Sequence, residues 1–526
     1  MTTRLTTQAR AIPHLGGTFV LVACLTPSFG LAAEIPALAP TGVVRAAATF
    51  AAIDGSDRRE PVPLTLLDAI QMARTKSPSA LAAIHRYRSS HWQYVTFKSD
   101  YRPSLDVETT PYGWQRTIEK QTLPDGTDAF IPRSQANSSV GLSLNKVVTW
   151  TGGRIALNTE LARTQALEGD GGRQYFSTPV EVTYYQPFLS YNGFKWDLKI
   201  EPRRYAEASQ EFVEELESVS SNAIAFYFDL LGSQTALVDA ITQKSQADTL
   251  QAVARRRFET GRAPESDVLQ AELASLNADL NLSRVRVDVA VKQQRLATFL
   301  GVSGAPVFKL EATTDVPKVV VDYDMAIAEA RRNRPQSMAF ARQLLEADRS
   351  VAQARAVSGS TTLFASYGLS QATDRLSQLY HDPRIDQQAQ VGIRMPVVDW
   401  GRRRARVAVA ESQREVTRRQ VELQRADFER DVFLRVSQFD IQARQLRLAA
   451  RADSVAQRRY EVTQQRYLAG QDDLNSVNIA QNEKQGARRG YVDAMRNYWA
   501  TYYDMRRATL YDFESRQALV PPPVTF

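Results

Sequence analysis

The sequence of 526 residues contains very little cysteine and histidine, with one Cys and four His. A single cysteine excludes a disulfide framework and any metal site built from several thiolates. His14, His85, His91 and His381 are scattered and form no H-E-x-x-H motif. The sequence also lacks a phosphate-binding P-loop, a G-x-G-x-x-G dinucleotide motif and a nucleophile elbow. We therefore expect neither an enzyme nor a protein with a cofactor or a bound metal.

The excess of one charge sign is also small, because the sequence has 65 Lys and Arg residues and 58 Asp and Glu residues, a formal net charge of +7. Both signs alternate closely along the chain, as in Arg425, Asp427 and Arg430. Mixed charge of this kind is typical of solvated helix faces and not of a nucleic-acid-binding surface. We expect no nucleic-acid partner.

Long apolar runs are confined to the N-terminus. Arg4 and Arg10 precede a stretch without Asp, Glu, Lys or Arg over residues 11–33, and its apolar core is 19–23. This layout predicts a secretory signal peptide over residues 1–33. No other stretch approaches 18 uncharged apolar residues, which predicts that the mature protein has no membrane-spanning helix.

Two processing routes remain open for this segment. The residues Leu21–Cys24 resemble a bacterial lipoprotein box, in which Cys24 becomes the lipidated first residue. The residues Gly30–Ala33 instead fit ordinary cleavage. Residues 34–62 are rich in Ala and Pro without a clear period, which predicts a tether.

An internal repeat organises the rest of the chain. The spacing of Ala69, Ile70, Ala73 and Pro78 recurs in Ala326, Ile327, Ala330 and Pro335. A second block recurs as well: Arg257, Phe258, Gly261, Val268 and Ala271 correspond to Arg466, Tyr467, Gly470, Val477 and Ala480. The offsets of the two blocks differ, so the first repeat must hold about 48 additional residues within the region 105–200.

Each repeat has the same order of elements. It opens with a predicted helix, over residues 65–98 and again over 323–356. A stretch that alternates apolar and polar residues follows, and a period of two is typical of a half-buried strand. The clearest alternating segments are 139–144, 154–158 and 180–184 in the first repeat, and 363–369 and 391–395 in the second.

Two long helical stretches end each repeat. From about residue 203 to residue 260, apolar positions recur in steps of three and four, which predicts a helix about 85 Å long with a coiled-coil seam. The stretch 403–468 is similar. Gly261 and Gly470 fit left-handed C-cap positions, after which the chain doubles back. The returning helices are predicted over 265–300 and 474–513.

These parts make physical sense only in an assembly. A few strands cannot close a barrel alone, since about eight are the practical minimum. In a membrane, open sheet edges are excluded because lipid cannot satisfy their backbone groups. We therefore infer an oligomeric conduit, in which copies of the chain share a β-barrel and a helical tube.

From Pro63 to Phe513 the sequence resembles the TolC-like outer-membrane efflux protein family. The resemblance rests on both repeat openings, on the junctions Gln186–Leu189 and Met395–Val398, and on the tip segment Gly261–Ala271. It implies a mainly α protein with a membrane β-barrel, formed as a homotrimer with a twelve-stranded barrel above a long α-barrel. It also implies location in the lipid of the outer membrane of a Gram-negative bacterium, with the α-barrel in the periplasm. The implied function is a passive exit duct for efflux or type I secretion, coupled to an inner-membrane pump through a periplasmic adaptor protein.

The resemblance also implies sites at the hairpin tips. The candidates for a pore or gate are Asp267, Tyr467, Asp472 and Asp473. The alternative role of the three aspartates is helix capping and compensation of the helix dipole. Where the family can carry paired aspartates at the periplasmic entrance, this sequence has Ser476 and Ile479, which puts an acidic ring in question. The implied adaptor-contacting tips are Thr260, Gly261, Arg262, Ala469, Gly470 and Gln471.

Aromatic and basic residues near the strand ends predict anchoring at the membrane interface. The candidates are Trp150, Tyr184, Tyr185, Trp196, Trp400, Arg402, Arg403 and Arg404. The alternatives are a solvated helix start for the arginines and a soluble sheet edge for the aromatic residues.

The sequence thus predicts a signal peptide (1–33), a tether (34–62), a first repeat (63–310), a linker (311–322), a second repeat (323–515) and a tail (516–526). The surplus hairpin of the first repeat, roughly 138–163, fits either an extracellular element or an enlarged strand pair. The alternative function is a periplasmic coiled-coil scaffold whose strands form a soluble sheet without a channel.

Overall fold

The computed structural model describes residues 62–122, 126–167, 172–188, 190–261, 264–304, 306–311, 319–356, 360–394, 396–468, 471 and 474–521. The predicted signal peptide with Cys24 and nearly all of the tether lie outside the described residues. Five predicted tip residues also lie outside them: Arg262, Ala469, Gly470, Asp472 and Asp473.

The described residues form long helices and one large sheet. The helices are α1 Leu66–Lys76, α2 Pro78–Asp100, α3 Gly193–Glu259, α4 Glu265–Leu300, α5 Tyr323–Asn333, α6 Pro335–Ala356, α7 Arg402–Leu468 and α8 Leu474–Thr509. The strands are β1 Val62–Leu64, β2 Ser104–Thr122, β3 Asp128–Val148, β4 Gly153–Ala166, β5 Arg173–Phe188, β6 Phe308–Leu310, β7 Ser360–Thr373, β8 Arg384–Arg394, β9 Tyr511–Asp512 and β10 Gln517–Ala518.

Each repeat opens with a short capped helix that stops before a proline. The side chain of Thr65 accepts a backbone hydrogen bond in the first turn of α1, and Asp322 does the same for α5. Pro78 and Pro335 start the next helices, because the residue before a proline disfavours helical geometry. Each predicted opening helix is therefore two helices. The repeated apolar residues of these openings are buried: Ala69, Ile70, Ala73, Ala326, Ile327 and Ala330.

Six strands form one antiparallel sheet in the order β2-β3-β4-β5-β7-β8. Four of them come from the first repeat and two from the second, and β5 pairs with β7 across the repeats. The surplus hairpin of the first repeat is thus a strand pair inside this sheet. The alternation did not single out β2, since a bulge between Thr110 and Gly113 breaks its period of two.

The long helices form two hairpins, α3 with α4 and α7 with α8, and α3 packs against α8. Both α3 and α7 have 67 residues, about 100 Å at 1.5 Å per residue. α3 begins upstream of its predicted start, because Asn192 caps it at Gly193, and the helix contains Pro202. α8 ends at Thr509, before the predicted end, where Leu510 takes a φ of +47° and the chain turns into β9.

Among the described residues, α3 is the one helix long and apolar enough to cross a membrane by length and composition. Much of its apolar surface is covered within the chain, since Phe212, Leu216 and Tyr227 belong to the main core. The hydroxyl of Tyr227 lies 3.1 Å from the carbonyl oxygen of Leu64 and 2.7 Å from that of Glu311. The apolar stretch of α3 therefore holds the helices to the β1-β6 pair.

Candidate functional site

The six-stranded sheet has one face that is apolar from edge to edge. Neighbouring strands place large apolar side chains opposite one another, as in the line Leu105, Leu144, Leu157. The members of this apolar face include Leu105, Val107, Trp114, Val140, Leu142, Leu144, Ile155, Leu157, Val180, Val182, Tyr367, Ile385, Val391 and Ile393. All of them are exposed, so no other part of the described chain covers this face. Water is a poor solvent for such a surface, whereas lipid suits it.

The opposite face of the same sheet is polar. Its members include Ser104, Asp106, Glu108, Ser139, Ser143, Asn145, Asn158, Glu160, Glu181, Thr183, Ser366, Asp386, Gln388 and Gln390. The two faces separate because successive residues of a strand point in opposite directions.

Hydrogen bonds connect side chains of this polar face across the strands. The hydroxyl of Ser143 donates to Oδ1 of Asn158 over 2.7 Å. Nδ2 of Asn158 lies 3.4 Å from Oγ1 of Thr183 and 3.5 Å from Oε2 of Glu181. A connected polar surface of this kind can line a water-filled space.

Three of the predicted interface anchors are tryptophans at the end of the sheet nearest the long helices. Trp150 lies in the β3-β4 turn and is 83% exposed, and Trp400 precedes α7 and is 93% exposed. Trp196 lies in the first turn of α3, where Nζ of Lys199 is 5.5 Å from the centre of its ring. Asn192 joins the β3-β4 turn to the start of α3, because its Nδ2 donates to the carbonyl oxygen of Thr149 over 2.9 Å.

The two neighbouring tyrosines of β5 lie on opposite faces of the sheet. Tyr184 pairs with Ile155 and Ala365 on the apolar face, whereas Tyr185 pairs with Arg154 on the polar face. Only Tyr184 therefore lies on the apolar face. Sequence proximity alone grouped the two residues, although the period of two already separates them.

The predicted basic anchors Arg402, Arg403 and Arg404 form the first turn of α7 and are exposed. Asp399 caps this turn, since its carboxylate accepts the backbone N–H of Arg403 and of Gly401 over 3.0 Å each. These two backbone hydrogen bonds lower the pKa of Asp399. A cationic first turn is unfavourable for the helix dipole, and the capping carboxylate offsets it.

The hairpin tip between α3 and α4 is exposed. Gly261 has a φ of +71°, which glycine adopts without a steric penalty, and the hydroxyl of Thr260 donates to carbonyl oxygens of the last turn. Asp267 lies exposed in the first turn of α4. At the second tip, Gln471 is exposed, and its backbone N–H donates to the carbonyl oxygen of Arg466. Tyr467 is the second-to-last residue of α7, and its side chain lies outside the described part of the chain.

The helices α4 and α7 carry exposed apolar stripes whose residues the sequence analysis did not single out. On α4 the stripe consists of Leu269, Leu273, Leu276 and Leu280. On α7 it consists of Leu434, Ile441, Leu448, Val455 and Val462, at every seventh residue. These spacings are those of coiled-coil seams, and the seven-residue period was the signal that could have revealed them.

The described residues contain no group of three or more His, Cys, Asp or Glu side chains placed to hold a metal ion. A sheet with one apolar and one polar face, continued by long helical hairpins, is instead typical of an outer-membrane channel with a helical extension. A sequence profile of the outer membrane efflux protein family matches residues 69–302 and 326–509. The chain belongs to this family and is an outer-membrane efflux channel of a Gram-negative bacterium, with a long periplasmic helical part.

Solved structures share the fold over most of this chain. A membrane protein from Pseudomonas aeruginosa matches with a TM-score of 0.61 at 16% identity, covering 86% of this chain and 92% of that one. The outer membrane protein VceC of Vibrio cholerae gives 0.58 at 14% identity, covering 84% and 95%. The CmeC outer membrane channel of Campylobacter jejuni gives 0.60 at 14% identity, covering 84% and 85%. No curated protein sequence matches significantly.

Proposed function

We propose that the protein is the exit duct of a tripartite efflux or type I secretion system and works as a homotrimer. The observation that carries this proposal is the two-faced sheet, whose exposed apolar face suits lipid and whose polar face suits a water-filled lumen. Cargo would pass from the helical tube into the barrel without any chemical step.

The apolar stripes of α4 and α7 support the assembly of several copies. α4 packs mainly on α3, and α7 packs on α8 and α6, so both stripes point away from the hairpins of their own chain. Seams of this spacing are covered when a helix of another copy packs against them. A closed ring of copies would cover every seam.

Planar-bilayer recording of the purified protein tests the channel. We expect stable single-channel currents, and we expect the protein to stay in outer membranes during urea or carbonate washing. A periplasmic coiled-coil scaffold, the alternative function, would be released by these washes and would carry no current. Loss into the wash together with silent bilayers would therefore reject the channel.

We further propose that the hairpin tips meet the periplasmic adaptor of an inner-membrane pump. The proposed contacts are Thr260, Gly261, Arg262, Ala469, Gly470 and Gln471. The exposure of Thr260, Gly261 and Gln471 supports this assignment. The remaining anchors, Trp150, Tyr184, Trp196, Trp400 and Arg402 to Arg404, would lie at the lipid interface on the periplasmic side.

The proposed gate residues are Asp267, Tyr467, Asp472 and Asp473. If they narrow the pore mouth, Asp267→Ala and Tyr467→Phe should each raise single-channel conductance in planar bilayers. Glu272→Gln, an exposed substitution further along α4, serves as the control. Unchanged currents in both gate variants would leave these residues with capping and packing roles only.

We also propose that the chain begins with a signal peptide over residues 1–33, which is followed by a tether before the first repeat. Mass spectrometry of the mature N-terminus decides between its two processing routes. A lipid-modified Cys24 at the N-terminus identifies a lipoprotein, whereas an unmodified residue after Ala33 identifies ordinary cleavage.

A further inference from the structure

The two edge strands of the sheet are both without a partner. β2 pairs only with β3 and β8 only with β7 among the described residues, and β8 is exposed along almost its whole length. Each edge carries unpaired backbone N–H and C=O groups that lipid cannot satisfy. Six strands are also too few to close into a barrel by themselves. The sheet is therefore incomplete in a membrane until both edges are covered.

We propose that β8 of one copy pairs with β2 of the next, so that three copies close an eighteen-stranded barrel. This rests on the proposed trimeric channel and departs from the twelve strands that the family resemblance implied. The chain enters β2 from α2 and leaves β8 into α7, so the two strands run in opposite directions. Their pairing continues the antiparallel order of the whole sheet.

The edge strands match each other in one register. With Arg394 opposite Ser104 of the next copy, the apolar faces of the two strands coincide. The apolar pairs in this register are Ile393 with Leu105, Val391 with Val107 and, beyond the bulge of β2, Ile385 with Trp114. On the polar face, Arg394 lies diagonal to Asp106, within reach of a long side chain.

The slant of the sheet agrees with closure. Ser104 is the first residue of β2, and following the paired residues from it straight across the sheet leads to Gln388 of β8. Gln388 lies six residues before Arg394, the last residue of β8, so the ends of the two edge strands are offset by six residues. Six residues correspond to about 20 Å along a strand, and five inter-strand spacings to about 24 Å. If the helix-side ends of the strands lie level, the strands tilt by about 40°, inside the range of membrane barrels.

The consequence is a wider pore. Barrel diameter grows roughly in proportion to the number of strands, so eighteen strands give a lumen about 1.5 times as wide as twelve. Barrels of this strand number enclose an aqueous channel. The additional hairpin of the first repeat would thus enlarge the exit duct and not cap it.

Disulfide formation between copies tests the proposed contact in the full-length protein in outer membranes. Val107→Cys with Val391→Cys, and Asp106→Cys with Gly392→Cys, probe the two alternating kinds of antiparallel pair, of which one has the closer side chains. Within one chain these positions lie five strand spacings apart, so a disulfide can form only between copies. Mild oxidation should convert most of at least one of these variants into covalent dimers and trimers on denaturing gels.

A matched pair probes the twelve-stranded alternative. If the β2-β3 hairpin stayed outside the barrel, β4 would be the edge strand that pairs with β8 of the neighbouring copy. Leu157→Cys in β4 with Val391→Cys in β8 tests this arrangement. Covalent trimers in this variant, and none in the two β2 variants, would overturn the proposal. No covalent trimers in any variant, in membranes whose wild-type protein conducts current, would also overturn it and leave the channel function standing. A wild-type protein without current would instead reject the channel itself. The single-cysteine variants control for disulfides through Cys24.

Discussion

At the scale of single residues, the most buried carboxylate in an ion pair among the described residues lies in the helical part and not in the sheet. Glu217 of α3 is fully buried and is held by two arginines. Its carboxylate lies 2.9 Å from Nη1 of Arg74 in α1 and 3.1 Å from Nε of Arg506 in α8. Arg506 also contacts Asp512 over 3.0 Å. This network joins the opening helix, the long helix and the C-terminal strand.

We expect Glu217→Ala to lower the free energy of unfolding by about 3–5 kcal/mol, because it leaves two arginines without their buried partner. Glu215→Ala is the control, since Glu215 of the same helix makes an exposed pair with Arg86 that contributes about 0–1 kcal/mol. Thermal unfolding in detergent, followed by circular dichroism, measures both. Equal effects of the two substitutions would contradict the role given to Glu217.

Asp512 gives this network a dependence on pH. Burial by itself would raise the pKa of Asp512, but the charge of Arg506 and the hydrogen bond from Tyr502 outweigh it and lower the pKa. A carboxylate with a lowered pKa stabilises the fold above its unfolded pKa of about 4, and this contribution is lost as the pH falls through the folded pKa.

Asp512→Asn should therefore be less stable than the wild type near neutral pH, and the difference should shrink below about pH 4. The midpoint of thermal unfolding of both proteins, followed from about pH 7 to about pH 3, provides the measurement. A difference that stays constant over this range would show that Asp512 acts through packing alone.

At the scale of elements, each long hairpin buries part of its apolar surface and leaves one apolar seam exposed, on α4 in the first hairpin and on α7 in the second. The residues of α3 turn inward onto α8, whereas the leucines of α4 remain exposed. Exposed apolar side chains at coiled-coil spacing leave the isolated chain with surface that only another helix can remove from water.

Replacing Leu273 and Leu280 of this stripe by Gln should weaken the proposed trimer while leaving the protomer folded, since both side chains are exposed within one chain. Glu272→Gln with Asp279→Asn, on another face of α4, is the control and should keep the trimer intact. Native gel electrophoresis and light scattering report the oligomeric state. Trimers of unchanged stability in the leucine variant would place the seam between copies elsewhere.

At the scale of the whole molecule, the polar face of the sheet sets the electrostatics of the proposed lumen. The carboxylates on this face include Asp106, Glu108, Glu160, Glu181 and Asp386. The same face carries Arg133, Arg154, Arg384 and Arg394, of which the last three lie within two residues of a strand end. Repetition of the carboxylates around a closed barrel would favour the passage of cations.

The open channel should therefore be cation-selective, and a KCl gradient across a planar bilayer should give a reversal potential displaced toward that of K⁺. Asp106→Asn combined with Glu181→Gln and Asp386→Asn should move this potential toward zero. Asp128→Asn, at the far end of the β2-β3 hairpin, is the control and should leave it unchanged. Anion selectivity of the wild type would argue that this face does not line the pore.

Much of the architecture follows from the sequence because it depends on local periodicity. The period of two in segments such as 139–144 and the steps of three and four in α3 fix strand and helix before any long-range contact forms. The duplicated openings at Ala69 and Ala326 identify buried positions for the same reason. The family resemblance, and with it the outer-membrane location, rests on this duplicated order.

Only the tertiary structure decided which elements share a surface. It joined β5 to β7 across the two repeats, placed the surplus hairpin inside the sheet, and separated Tyr184 from Tyr185 onto opposite faces. It also revealed the unpartnered edges β2 and β8 and the exposed seam of α4. Periodicity states that a residue has a buried or an exposed side, but it does not name the neighbour that covers it. Pairing between distant segments is set by the packing of the whole chain, and no local pattern encodes it.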